Sequence, residues 1–472
     1  MRTYAVIGKN FGDEGKGLVS ASLCLHSGKK LIVRHNGGGQ AGHTVECTAE
    51  QVKQNKVGKP EKNSKATKDC EPAKNSKSAK DGMLTKDSVE FRFIHHQIGS
   101  GAEFGADTLF AETFCPDLYQ LGNELEQFEA VYGFRPVIFS EKNTAVTIID
   151  DILLNMALET FRGDKRHGSC GMGINECRQR MNAGYVLTVG DIAEHNVSWI
   201  IDRLRAIREK YTMSRAEILG LPIGNAVVES SDDGKIIEDS EDASPYAGLT
   251  NEDILLNFAA EIKKNVAEIN IIDADRTWLE QYDLVVFETG QGLLLDEFYR
   301  RYAPYLTTSR TGIANTASFL DKRSLRLDEV IYVTRSYVTR HGNGPLPCEC
   351  KRAELPGVEY DMTNEPNEWQ GVIRYARHQD FDAFFEAMAD DLDDINKDIF
   401  LQEDITVSLA ITHLNESDGK LRFETGDVGT DEFRSLFLGR NITGTDRILG
   451  NIYESYCRIP ECLRPGDRHE ER

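Results

Sequence analysis

The sequence predicts an α/β fold with a large, mostly parallel central sheet, flanking helices and insertions. Short β-rich runs recur at Tyr4–Ile7, Lys30–Arg34, Leu284–Glu288, Val330–Thr334 and Thr406–Ile411. Helical stretches separate them, among them an amphipathic segment near Thr144–Phe161. The first two runs end in glycine-rich loops, the pattern of parallel strands that deliver ligands at their C-terminal ends.

The first strand, Tyr4–Ile7, runs into Gly8-Lys9-Asn10-Phe11-Gly12-Asp13-Glu14-Gly15-Lys16-Gly17, and the apolar-rich stretch Leu18–Leu25 then reads as a helix. Glycines at 8, 12, 15 and 17 allow tight turning and let backbone amides point inward at a helix N-terminus, where the partial positive charge suits phosphate. Lys16 adds a full charge. This is a P-loop-like nucleotide site, although the GxxxxGK[ST] pattern itself is absent. Asp13 would repel phosphate unless it ligates magnesium or abstracts a proton.

The second strand leads into Arg34-His35-Asn36-Gly37-Gly38-Gly39-Gln40-Ala41-Gly42-His43-Thr44. A histidine placed after four glycines, at a strand end expected beside the first, is a candidate for stabilising charge on an oxygen.

The composition changes between Gln51 and Asp87: Lys, Asn, Ser and Ala dominate, and Lys62–Asp69 is nearly repeated as Lys74–Asp81. Such a segment has no apolar face to bury and is expected to be a disordered insert. The expected organisation is one α/β domain formed by 1–46 and 89–465, an insert at 47–88, and a polar tail at 466–472. A chain of 472 residues with 55 Lys plus Arg against 77 Asp plus Glu, net −22, repels nucleic acid in the mean and must hold any phosphate locally. The N-terminal apolar run is too short for a signal peptide or a membrane span, so a cytoplasmic protein with no membrane partner is expected. Ten cysteines without a CxxC pair point to reduced thiols rather than a disulfide framework, and Cys348…Cys350 and Cys457…Cys462 are read as ordinary residues rather than half of a metal site.

Taken together, Gly12–Gly17 and Ala41–Thr44 resemble the adenylosuccinate synthetase family. The resemblance continues through Phe287-Glu288-Thr289-Gly290-Gln291-Gly292, Leu294-Leu295-Asp296, Pro304–Ser309, Thr339-Arg340-His341-Gly342-Asn343-Gly344-Pro345 and Thr443-Gly444-Thr445-Asp446-Arg447, in family order. It implies a two-step ligase in which a nucleoside triphosphate, GTP in the family, phosphorylates the 6-oxygen of IMP with Mg2+, and an amine, aspartate in the family, displaces phosphate. By the same resemblance Asp13 is the base at N1, His43 the acid at the 6-oxygen, Gln291 a second contact to it, and Lys16 the cation on the transferring phosphate. It also implies substrate contacts from Gly12, Gly15, Gly17, Gln40, Ser169, Cys170, Thr307 and Arg340. Base contacts would come from Thr412, His413, Asn415 and Gly444, metal contacts from Asp13 and Gly42, and the assembly would be a homodimer. Removing the N1 proton pushes charge onto the attacking oxygen, so these roles are chemically consistent.

Departures fall on substrate selection. Where the family presents Thr-Gly-Arg-Pro-Arg-Arg to aspartate, this chain reads Thr363-Asn364-Glu365-Pro366-Asn367-Glu368, and carboxylates there repel a dicarboxylate. Either other cations hold aspartate, with Arg374 and Arg340 as candidates, or the amine differs. The family's guanine-reading Thr-Lys-Leu-Asp becomes Thr412-His413-Leu414-Asn415, and an asparagine offers one acceptor beside one donor, which suits adenine or no particular base. The loop His167–Asn175 keeps its glycines but sets Cys170 where the family has a phosphate-binding threonine, with Ser169 beside it. Arg178 and Arg180 are candidates for the arginine that crosses between subunits. Three readings follow: an adenylosuccinate synthetase, a related 6-oxopurine nucleotide ligase with another amine or triphosphate, and a nucleotide sensor without turnover. The base and oxyanion partners argue against the last.

Overall fold

The computed structural model describes residues 1–54, 91–221, 245–359, 371–398, 405–439 and 449–465. Most of the lysine-rich insert, the loop Thr363–Glu368, the segment Thr443–Arg447 with Gly444, and the tail 466–472 lie outside the described residues. Positions 47–54, assigned above to the insert, are structured. Cys47 closes a short strand, a helix follows over Ala49–Gln54, and Val52 is buried.

Ten strands form the central sheet. In chain order they are β1 Arg2–Gly8, β2 Lys30–Arg34, β3 Asp107–Phe110, β4 Ile138–Glu141, β5 Ile269–Ile272, β6 Leu284–Gly292, β7 Glu329–Arg335, β8 Thr406–Thr412, β9 Leu449–Ser455 and β10 Leu463–Pro465. Their order across the sheet is β10-β9-β8-β7-β1-β6-β2-β3-β4-β5, and every pairing is parallel except β9 with β10. One expectation fails here: β2 does not lie beside β1, because β6 pairs with both and separates them. The strand-like runs say where strands are, whereas their order follows from which crossovers pack over which face.

Successive residues of each strand point to opposite faces. Ala5, Ile7, Leu31, Val33, Val285, Phe287, Val330 and Tyr332 join one apolar core, while Val6, Ile32, Val286, Ile331 and Val333 join the other. Burial on both faces is why these runs are continuously apolar rather than alternating. Helices Lys16–Leu25 (α1), Leu118–Tyr132 (α2), Val197–Ile207 (α4) and Glu252–Asn265 (α5) cover the second face, and Phe381–Asp398 (α6) covers the first through Phe384, Phe385, Met388 and Leu392. The amphipathic segment near Thr144–Phe161 forms the helix Ile149–Arg162 (α3), whose Leu154, Ala157 and Leu158 build a satellite core. Among the described residues no helix is long and apolar enough to cross a membrane.

Candidate active site

The glycine-rich turn after β1 has the shape its composition predicts. Gly12 (φ 101°), Asp13 (φ 64°) and Gly15 (φ 91°) occupy the left-handed region, and α1 starts at Lys16, two residues earlier than its apolar residues suggest. Glu14 holds the turn together: its Oε1 accepts from the backbone N–H of Asn10 (3.0 Å) and Gly12 (2.8 Å), while Oε2 accepts from Lys16 Nζ at 2.8 Å. A side chain at Gly17 would place its Cβ 2.8 Å from the Cβ of His43, so glycine lets α1 approach the histidine.

His43 opens a two-stranded ribbon, His43–Cys47 with Phe91–His95, rather than ending the preceding glycine loop as a free tip. Its Nδ1 lies 3.0 Å from Glu288 Oε1. The other oxygen of Glu288 accepts from Arg34 Nη1 (2.7 Å) and the Ser100 N–H (3.1 Å), all in a buried setting. Burial pushes the His43 imidazole down to about 4, with Glu288 pulling the other way. Burial also opposes ionisation of Glu288, but His43 and Arg34 outweigh it and hold the carboxyl well below its usual range. Nδ1 also lies 3.2 Å from Arg34 Nη1, so Glu288 and Arg34 together occupy that edge of the ring, which leaves Nε2 for the cavity that His43 lines.

β6 runs to Gly292, so the Phe287–Gly292 motif lies in the strand and not in a loop after it. Gln291 has φ 66°, and a Cβ on Gly292 would fall 2.3 Å from the Asn10 carbonyl, so this strand end packs directly on the glycine-rich turn. His413 has φ 60°, and Thr412 Oγ1 donates to the Glu14 carbonyl (2.7 Å), tying the end of β8 to the same turn. Among the described residues, Asp13, Gln291 and His413 are three of the six non-glycine residues with positive φ, and such strain persists where the surrounding structure over-determines it.

One cavity of about 650 Å³ is lined by Gly12, Asp13, Gly15, Lys16, Gly17, Gln40, Gly42, His43, Ser169, Cys170, Gln291, Thr307, Arg340, Thr412, His413 and Asn415. Every described residue to which the resemblance gives a catalytic, substrate, base or metal contact lines it. The loop after α3 forms one wall. Asn155 Nδ2 donates to Ser169 Oγ (2.9 Å), Glu159 accepts from the Gly168 N–H (2.9 Å) and pairs with Arg162 (2.6 Å), and the His167 ring meets Tyr305 edge-on. Burial pushes the Cys170 thiol up to about 11. Arg340 sits 4.5 Å above the Phe11 ring and donates to the carbonyls of Pro345 (2.7 Å) and Tyr305 (3.1 Å); burial, with Arg374 nearby, lowers its pKa to about 10.

Some expectations are corrected. Arg180 cannot cross to a partner subunit: it is fully buried, pairs with Asp151 at 2.9 Å and donates to the carbonyls of Tyr185 and Val146. Cys457 and Cys462 are joined in a disulfide, against the expectation of reduced thiols, and Cys457 borders the cavity. Arg374 is engaged by Glu349 (3.1 Å) and the Gly344 carbonyl (2.9 Å) and does not line the cavity. Two partners carry no mark in the sequence. His341 Nε2 lies 2.6 Å from Asp13 Oδ2, and Arg335 donates through Nε to the Asp13 carbonyl. Glu288 and His341 stood inside quoted motifs, yet nothing in their spacing marked them as partners of His43 and Asp13.

A sequence profile described as adenylosuccinate synthetase matches residues 5–61 and 84–379. The chain belongs to the adenylosuccinate synthetase family. It is 26% identical over 353 residues to an adenylosuccinate synthetase of Lactobacillus johnsonii and 25% identical over 351 residues to one of Clostridium botulinum. Each match covers 74% of this chain, and the chain spans about two thirds of those relatives, 65% and 66%. Among solved structures, the fully ligated adenylosuccinate synthetase of Plasmodium falciparum superposes with a TM-score of 0.62 at 13% identity, covering 99% of this chain and 100% of that one. A cyanophage S-2L succinoaminodeoxyadenylate synthetase bound to dGMP and dATP gives 0.53 at 13% identity, covering 98% and 95%. These likenesses agree with the α/β fold built on a large, mostly parallel sheet.

Proposed function

We propose that the protein is a C–N bond-forming ligase that phosphorylates the 6-oxygen of IMP or a related 6-oxopurine nucleotide and then joins that carbon to an amine. The observation that carries this is the convergence of Asp13, Lys16, His43 and Gln291 on one cavity beside a helix N-terminus. In this reading the Asp13 carboxylate takes the N1 proton and charge moves to the 6-oxygen, where His43 and Gln291 meet it. That oxygen attacks the terminal phosphorus, the bond from that phosphorus to its bridging oxygen breaks, and the nucleoside diphosphate leaves, while Lys16 and the turn amides hold the phosphate. The amine then adds at C6, phosphate leaves with the oxygen, and the amine loses a proton.

Mg2+ suits the site: the Asp13 carboxylate and the Gly42 backbone bring hard oxygen donors to the cavity that Lys16 lines. Among the described residues no group of three or more His, Cys, Asp or Glu could hold a metal, so phosphate oxygens and water would complete the coordination. When bound, Mg2+ neutralises charge on the phosphates.

A second reading, another amine in place of aspartate, is favoured by Glu365 and Glu368 in the sequence and by the engagement of Arg374 and Arg340 with protein carbonyls. The purified protein should be incubated with 6-oxopurine nucleotides, each triphosphate, Mg2+ and a panel of amino acids, and the products weighed. A purine carrying a new C6–N bond is expected, with aspartate not the best amine. No product from any combination would refute the ligase reading, and aspartate as the best amine would refute the second.

A further inference from the structure

The base-facing end of the cavity carries an inference that rests on the proposed triphosphate site. Asn415 lies in the turn Leu414–Glu416 at the end of β8; its side chain is exposed and lines the cavity. Among the described residues no hydrogen bond or ion pair engages its amide. The neighbouring groups are committed. Glu416 is buried, accepts from Tyr337 Oη at 2.7 Å, lies 3.7 Å from Arg458 and does not line the cavity. His413 Nδ1 is 2.8 Å from Thr412 Oγ1. Among the described residues no carboxylate of this turn lines the cavity.

We propose that the triphosphate site is permissive for the purine base, because Asn415 reads either six-edge with one donor and one acceptor. Toward adenine, Oδ1 accepts from N6–H and Nδ2 donates to N1. Toward guanine, the amide turns over, so that Nδ2 donates to O6 and Oδ1 accepts from N1–H. An amide held by protein partners would keep one orientation and select one base, whereas none of the described residues holds the Asn415 amide in one orientation. A carboxylate in its place would accept N1–H and N2–H of guanine together and repel the lone pair of adenine N1.

The test compares ATP, GTP and ITP with the full chain and with Asn415→Asp. In the parent, kcat/KM for the three should agree to within about tenfold. The variant should raise the GTP-to-ATP ratio by on the order of tenfold or more, and should prefer GTP to ITP because ITP lacks the 2-amino group. A parent that discriminates by more than about a hundredfold, or a variant whose ratios match the parent's, overturns the proposal. The same ratios are read by calorimetry with the β,γ-imido analogues of ATP and GTP, which need neither turnover nor acceptor nucleotide. Permissive binding without ligation would remove the proposed function and leave this inference standing, and selective binding would do the reverse.

Discussion

Replacing Glu288 by glutamine probes the arrangement that orients His43. The carboxylate receives Arg34 Nη1 at 2.7 Å and the Ser100 N–H at 3.1 Å and lies 3.0 Å from His43 Nδ1, and the side chains of Arg34 and Glu288 are 1% and 0% exposed. Glutamine keeps the volume but removes the charge, so Arg34 is left buried without its counter-ion. Its NH2 group also presents a donor either where the carboxylate received two or where it faced the imidazole. Removing one partner of a buried pair costs about 3–5 kcal/mol, which for a domain of this size lowers the thermal midpoint by on the order of 5 °C. The imidazole loses the carboxylate that faces its Nδ1 and supports its protonated form, so turnover should fall by on the order of a hundredfold, while KM changes little. Circular dichroism melts and steady-state kinetics measure the two effects, and Glu288→Asp, which retains the charge, should recover most of the stability. A glutamine variant that melts within a degree or so of the parent and turns over normally would show that Glu288 neither compensates Arg34 nor orients His43.

Asp13→Asn should lower kcat by about 10²–10⁴-fold with nucleotide affinity largely kept, because the amide fills the same space but takes no proton; near-normal turnover at saturating Mg2+ would contradict the proposed base. His378 is buried between Phe384 and Phe423, and burial, with Lys9 nearby, pushes its imidazole down to about 3. Below its ordinary pKa the unfolded chain therefore binds a proton that the folded protein refuses, and stability is lost as pH falls from 6.5 toward 3. Relative to His378→Gln, the parent should lose about 2 kcal/mol more between pH 7.5 and 5, read from denaturation at the two pH values; equal losses would place the charged imidazole in the fold. Excising residues 56–81, which carry the Lys-rich repeat, should leave melting and turnover within error of the parent, since the segment has no apolar face to contribute; a folded but inactive variant would give the basic insert a role.

Local chemistry was legible in the sequence. The Gly12–Gly17 turn and His43 could be singled out because a glycine-rich turn and a histidine after glycines are features of contiguous residues, whereas Gln291 was reached only through the family resemblance. The apolar runs of β1, β2, β6, β7 and β8 were likewise visible, since burial on both faces leaves its mark on each strand separately. The tertiary structure decided what contiguity cannot encode. It placed β6 between β1 and β2, which brings Glu288 to Arg34 across 254 positions of chain and so to His43. It set His341 against Asp13, buried Arg180 on Asp151, and closed Cys457 onto Cys462 at the cavity rim. The physical reason is that parallel strands pair only through crossovers, so strand order and the contacts between strand ends depend on how helices pack over each face, a property of the whole chain and not of any segment.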